Sequence, residues 1–136
     1  MIDTNVFVSA LKSRNGASFK LVSMIGTGWF DIAVSVPQIL EYESVAKRQP
    51  EAARLPGEGI DDVLDYVCSV ALRQKIFYLW RPFLKDPSDD MLLELAVAAQ
   101  AQHIVTFNIR HFVGVARFGI LAQTPRDFLR HLGAPA

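Results

Sequence analysis

Short apolar runs alternate with stretches of helical periodicity along most of this chain, and no other feature constrains the fold as tightly. Phe30 to Ser35 is rich in aromatic and β-branched residues and reads as a strand. Ile76 to Leu79, Ile104 to Thr106 and Gly119 to Ala122 read the same way, and Ile2 opens a very short first strand that runs into Asp3. Between them, Asn5 to Lys12, Ala17 to Ile25, Pro37 to Arg48, Ile60 to Gln74 and Pro87 to Gln102 carry helical patterns. In the fourth of these, Val63, Leu64, Val67, Val70 and Ala71 recur at helical spacing. Pro37 suits a first helical turn, and Thr124-Pro125 starts the last helix as N-cap and first-turn proline. Such alternation predicts a three-layer α/β/α domain, with a central parallel sheet of four to five strands covered on both faces.

A length of 136 residues suits one domain spanning 1–136. An apolar share of 51% against 21% charged residues supplies a core and argues against disorder. No uncharged apolar stretch reaches the roughly 18 residues of a membrane span. The opening Met1-Ile2-Asp3-Thr4-Asn5 has an acid where a secretory leader needs positive charge, so a cytoplasmic location is expected. Cys68 stands alone, which excludes an internal disulfide and a cysteine-based metal cluster. The loop-like stretch Gln49 to Gly59 is too short to separate domains. Net charge is zero, against a generally basic nucleic-acid coat. Its distribution is uneven: residues 1–30 sum to +2, 31–100 to −5 and 101–136 to +3. A basic end beside an acidic middle can put phosphate-binding charge around an acidic site, although ordinary surface scatter explains it equally well. Phe19, Trp29, Phe77, Tyr78, Trp80 and Phe83 add to the apolar load of a small domain, and a two-fold homodimer is the expected cover.

Functional groups in parallel α/β sheets gather at the carboxyl ends of strands. Asp3 lies at such an end, where capping the next helix is an equally good explanation. Glu41 and Glu43 follow the second strand; two residues apart, they cannot share a helix face, so only one can point at a common site. In Asp86-Pro87-Ser88-Asp89-Asp90, Asp86 as N-cap, Pro87 at the first position and Asp89 at the third resemble a capping box. Asp90 is not needed for that. It starts the mostly apolar run Met91 to Ala99, where a carboxylate needs a partner: a metal ion or the positive end of the helix. Thr106-Phe107-Asn108 closes a later strand, and Asn108 offers a carbonyl oxygen. His111 reads as a surface or capping histidine, and His103 and His131 have no partner at metal-ligand spacing. Oxygen donors without a cysteine or histidine set suit Mg²⁺ or Mn²⁺, which polarise phosphodiesters. The Walker loop and the dinucleotide glycine fingerprint are both absent.

These segments, in this order, resemble the PIN-domain family over nearly the whole chain. Ile2-Asp3-Thr4-Asn5-Val6-Phe7 resembles its opening motif, Val36-Pro37-Gln38-Ile39-Leu40-Glu41-Tyr42 its second, and Asp86 to Ala96 its third. Ile104-Val105-Thr106-Phe107-Asn108 resembles its fourth, and Gly119 to Leu129 its last strand and helix. The resemblance chooses Glu41 over Glu43. It also chooses Asp90 over Asp86 and Asp89, because the family's ligand aspartate lies sixteen residues before the strand-closing threonine, here Thr106. It implies a Mg²⁺- or Mn²⁺-dependent endoribonuclease with Asp3, Glu41 and Asp90 as metal ligands and Asn108 among the catalytic residues. Asn5, Thr106 and Arg110 would support the carboxylates, the metal waters or the substrate. The most similar subgroup is the toxins of toxin–antitoxin systems, which implies RNA as substrate and an antitoxin protein as partner. Asn108 departs from the aspartate that many members carry there, and the first strand is shorter than theirs. That departure leaves a catalytically weak RNA-binding or regulatory module as the alternative. A phosphotransfer enzyme with Asp3 as nucleophile is disfavoured, since its pattern needs an acid where Asn5 stands.

Overall fold

A computed structural model of the chain describes residues 1–49, 57–73 and 87–134. In chain order it contains α1 (Thr4–Lys12), α2 (Ala17–Ser23), β1 (Ala33–Val34), α3 (Val36–Lys47), α4 (Gly57–Val70), β2 (Leu72–Arg73), α5 (Pro87–Ala98), β3 (His103–Val105), β4 (Leu121–Gln123) and α6 (Pro125–Leu132). Two 3₁₀ turns, Ile109–Phe112 and Val115–Phe118, link β3 to β4 and have no counterpart in the sequence reading. The result is a mixed α/β fold, mostly helical, with small parallel strand pairs.

Ala33 lies opposite Leu72 in the β1–β2 pair, and His103 opposite Leu121 in the β3–β4 pair; both pairs are parallel. The expected continuous sheet of four to five strands is therefore reduced, among the described residues, to two pairs and a bridge from Ile2 to Val105. Ahead of α1, residues 1–3 pair with β3 through Asp3 N–H to Val105 O (2.8 Å) and Val105 N–H to Met1 O (2.8 Å). A cavity of about 380 Å³ opens there, between Ile32, Ala33 and Leu72 on one side and Gln102 and His103 on the other.

Two helices end earlier than their periodicity suggests. α4 stops at Val70, and Leu72 N–H donates instead to Ile32 O at 2.8 Å, so strand pairing overrides the apolar repeat that extends to Ala71. α5 stops at Ala98. Gln100 takes φ +55°, and Ala101 N–H reaches back to Ala96 O at 2.8 Å, which closes the helix as a left-handed cap does. The expected strand Ile76 to Leu79 lies outside the described residues.

The core explains why α5 is apolar on most sides. Leu92, Leu93, Leu95 and Ala96 are all buried and join Ile104 and Ile120 in one cluster. Val6 of α1 packs with Val34, Val105 and Phe128 in a second cluster. Phe7 stacks on Tyr42 of α3 with ring centroids 4.6 Å apart.

Burial at the cavity predicts a pH effect. The Met1 amino group donates to His103 O at 3.0 Å, and burial pushes its pKa down from 8.0 to about 5. Burial, and then the nearby His131, lowers the His103 pKa as well. These two groups therefore bind fewer protons folded than unfolded across this window, and their contribution to stability falls as pH drops from about 8 to about 5. Urea midpoints at both ends of that range check this, and a higher midpoint at the acidic end contradicts it.

Candidate metal centre

Asp3 occupies the N-cap position of α1 in extended geometry, yet its side chain makes no capping hydrogen bond. Its Oδ2 accepts instead from the Thr106 hydroxyl at 2.7 Å. Thr106 closes β3 and is fully buried, and its Oγ1 in turn accepts from Asn108 N–H at 2.9 Å. The strand exit is thus wired to the first acid: Asn108 N–H to Thr106, Thr106 O–H to Asp3. Asn5, in the first turn of α1, holds the same loop through a long contact, Phe107 N–H to Oδ1 at 3.5 Å. Asn108 is exposed, and its carbonyl accepts from His111 N–H at 2.9 Å; Arg110 is exposed in the same turn.

α3 brings the second acid. Ser35 caps it, its Oγ accepting from Gln38 N–H at 3.2 Å, and Pro37 fits the first turn as its fixed φ requires. Glu43 is bound to Lys47 at 3.4 Å, and Lys47 also reaches Asp61 of α4 at 2.9 Å, so Glu43 belongs to a solvated surface network. Glu41 is half-buried. Burial, then the negative charge of Asp3, then that of Glu41 push the Tyr42 hydroxyl above its ordinary range, against an opposing Gln38 contact. Tyr42 is therefore a permanent donor, and the charges of Asp3 and Glu41 act on one hydroxyl from different elements.

The third acidic segment is split. α5 starts at Pro87, as the capping reading requires. Asp89 is buried, and its Oδ2 lies 3.1 Å from Nδ1 of His111. That joins two residues the sequence reading kept apart as a capping acid and a surface histidine. Asp86 and the Asp90 side chain lie outside the described residues. Among the described residues no three His, Cys, Asp or Glu side chains converge on one point. Asp3 and Glu41 do supply carboxylate oxygens of the hard type that Mg²⁺ and Mn²⁺ take, so the donor set fits such an ion.

Sequence reasoning missed Gln38 and Tyr42. The signal available was their spacing of four, which puts both on one face of α3. No helix among the described residues is long and apolar enough to cross a membrane.

No curated relative and no solved structure matches the chain. Members of the PIN-domain family are typically metal-dependent nucleases that use a divalent ion. A family model of the PIN domain matches residues 1–110, a span that takes in Asp3, Glu41, Asp90, Thr106 and Asn108, and the chain belongs to the PIN-domain family.

Proposed function

We propose that this protein is a metal-dependent endoribonuclease that hydrolyses RNA phosphodiester bonds as the toxin of a toxin–antitoxin pair. The observation that carries the catalytic part is the Asp3 carboxylate held by buried Thr106 at the carboxyl end of β3, with its charge and that of Glu41 acting on one hydroxyl. Asp3, Glu41 and Asp90 would hold Mg²⁺ or Mn²⁺, which when bound supplies positive charge to a phosphodiester and acidifies water. The protein's own part is positional. Thr106 holds one Asp3 oxygen, Oδ2, and so fixes the orientation of that carboxylate. Asn108 and Arg110, both exposed on the adjoining turn, offer a carbonyl oxygen and a cation to the substrate. Asn5 steadies the loop that carries them.

Cleavage of single-stranded RNA with Mg²⁺, with Mn²⁺ and with excess chelator tests this. Cleavage should appear with either ion and vanish in chelator; undiminished cleavage in chelator would sink the mechanism. Asn108, which carries no charge, favours a second reading as a catalytically weak RNA-binding module, and that reading expects binding without cleavage in all three conditions.

A homodimer and an antitoxin partner belong to the same proposal. Val36 and Leu40 of α3 are 72% and 57% exposed, and Trp29 is 48% exposed. Apolar surface of this kind is usually covered by association. Sedimentation of the free protein should give twice the 15.1 kDa chain mass, and a concentration-independent monomer would refute the dimer.

A further inference from the structure

Two hydrogen bonds leave one face of α3 for the chain's first residues. Gln38 is buried and its Nε2 donates to Thr4 Oγ1 at 3.1 Å. Tyr42 is buried and its hydroxyl donates to the carbonyl of Ile2. The landing points, residues 2 and 4, flank Asp3 on both sides. The departure points, residues 38 and 42, flank Glu41 on α3. Each acid thus sits inside the same pair of long-range ties, which span 34 and 40 residues of sequence. Thr4 is also buried, so both ties lie away from competing water.

We infer that Gln38 and Tyr42 are positioning residues that set Glu41 against Asp3, so that the two carboxylates meet one cation without rearrangement. The inference rests on the metal-site reading above. A helix end can slide or roll relative to a strand end by fractions of an ångström, and oxygen ligands to Mg²⁺ tolerate little of that. Two ties, one on each side of the acids, fix both the slide and the roll. One tie would leave rotation about itself. Phe7 stacked on the Tyr42 ring adds packing to the same contact but carries no directional bond.

Three variants separate positioning from packing. Tyr42→Phe keeps the ring and its stack on Phe7 but loses the bond to Ile2. Thr4→Val keeps the shape but loses the bond from Gln38. Phe7→Leu loosens the stack and leaves both bonds. Mn²⁺ binding should be measured by calorimetry below all three melting temperatures, with thermal unfolding run alongside. Tyr42→Phe and Thr4→Val should each weaken Mn²⁺ binding about tenfold, the lower range of effects for groups that orient metal ligands. Phe7→Leu should lower the melting temperature and leave Mn²⁺ affinity within about twofold. Unchanged Mn²⁺ affinity in Tyr42→Phe and Thr4→Val overturns the inference while the metal site stands. An equal loss in Phe7→Leu also overturns it, because packing alone then explains the effect. If the wild-type protein takes up no Mn²⁺, the metal-site reading fails first and takes the inference with it.

Discussion

RNA cleavage by an Asp90→Asn variant should fall by more than about a hundredfold, a loss beyond the usual cost of removing an outer-shell partner. Asp89→Asn should stay within about tenfold of wild type. The two aspartates are adjacent on the first turn of α5, so the contrast is sharp. Asp89 is buried and already engaged, its Oδ2 lying 3.1 Å from His111. An asparagine there keeps an oxygen for the same contact. On the function proposed above Asp90 holds the metal, and an amide in place of its carboxylate removes the charge that holds a hard cation. Asp86→Asn, at the residue read as the helix cap, should be milder still in its effect on cleavage, since Asn is also a good N-cap. Gel-based cleavage of single-stranded RNA, with circular dichroism to confirm folding, reads all three. Should Asp89→Asn be the dead enzyme and Asp90→Asn the active one, the assignment within this cluster is wrong.

Thr106→Val should hurt both stability and metal binding. The threonine is fully buried, donates to Asp3 at 2.7 Å and accepts from Asn108 N–H at 2.9 Å. Valine preserves the shape and strips both bonds. Hydrogen bonds to charged groups contribute about 1.5–3 kcal/mol, and half-exposure of Asp3 puts the expected loss toward the lower figure. Mn²⁺ affinity should drop by roughly ten- to a hundredfold, because the Asp3 carboxylate then loses the bond that orients its Oδ2. Thr106→Ser should recover most of both. Chemical denaturation and calorimetric titration measure the two effects separately. A valine variant that loses stability but binds Mn²⁺ normally would show that Thr106 only supports the fold.

The residues proposed for the site were all named from the chain. Asp3 and Thr106 stand at a helix start and a strand end, and such boundaries follow from local chemistry; Glu41 lies within α3. Pro37, and Thr124 before Pro125, mark helix starts that the structure keeps, and the Thr124 hydroxyl accepts the expected backbone N–H; Ser35, read as the end of a strand, also caps α3. What could not be read is which groups touch across long stretches of sequence. Asp3 as N-cap and Asp3 as partner of Thr106 predict the same residue at the same place; only the fold, by bringing residue 106 beside residue 3, decides that the side chain serves the second role. The Asp89–His111 contact and the ties from Gln38 and Tyr42 are of the same kind.

Local periodicity and capping chemistry by themselves determined that this is an alternating α/β chain, with Asp3 ahead of its first helix and later helix starts at Pro37 and Thr124-Pro125. Tertiary structure alone decided where strand pairing overrules that periodicity, as at Leu72, whose N–H is taken by Ile32 rather than by α4. It also decided that two parallel pairs and a bridge, rather than one continuous sheet, frame the described residues. Helix signals act within one or two turns and are written in neighbouring residues. Strand pairing and site geometry depend on partners many tens of residues away, and no local pattern encodes that distance.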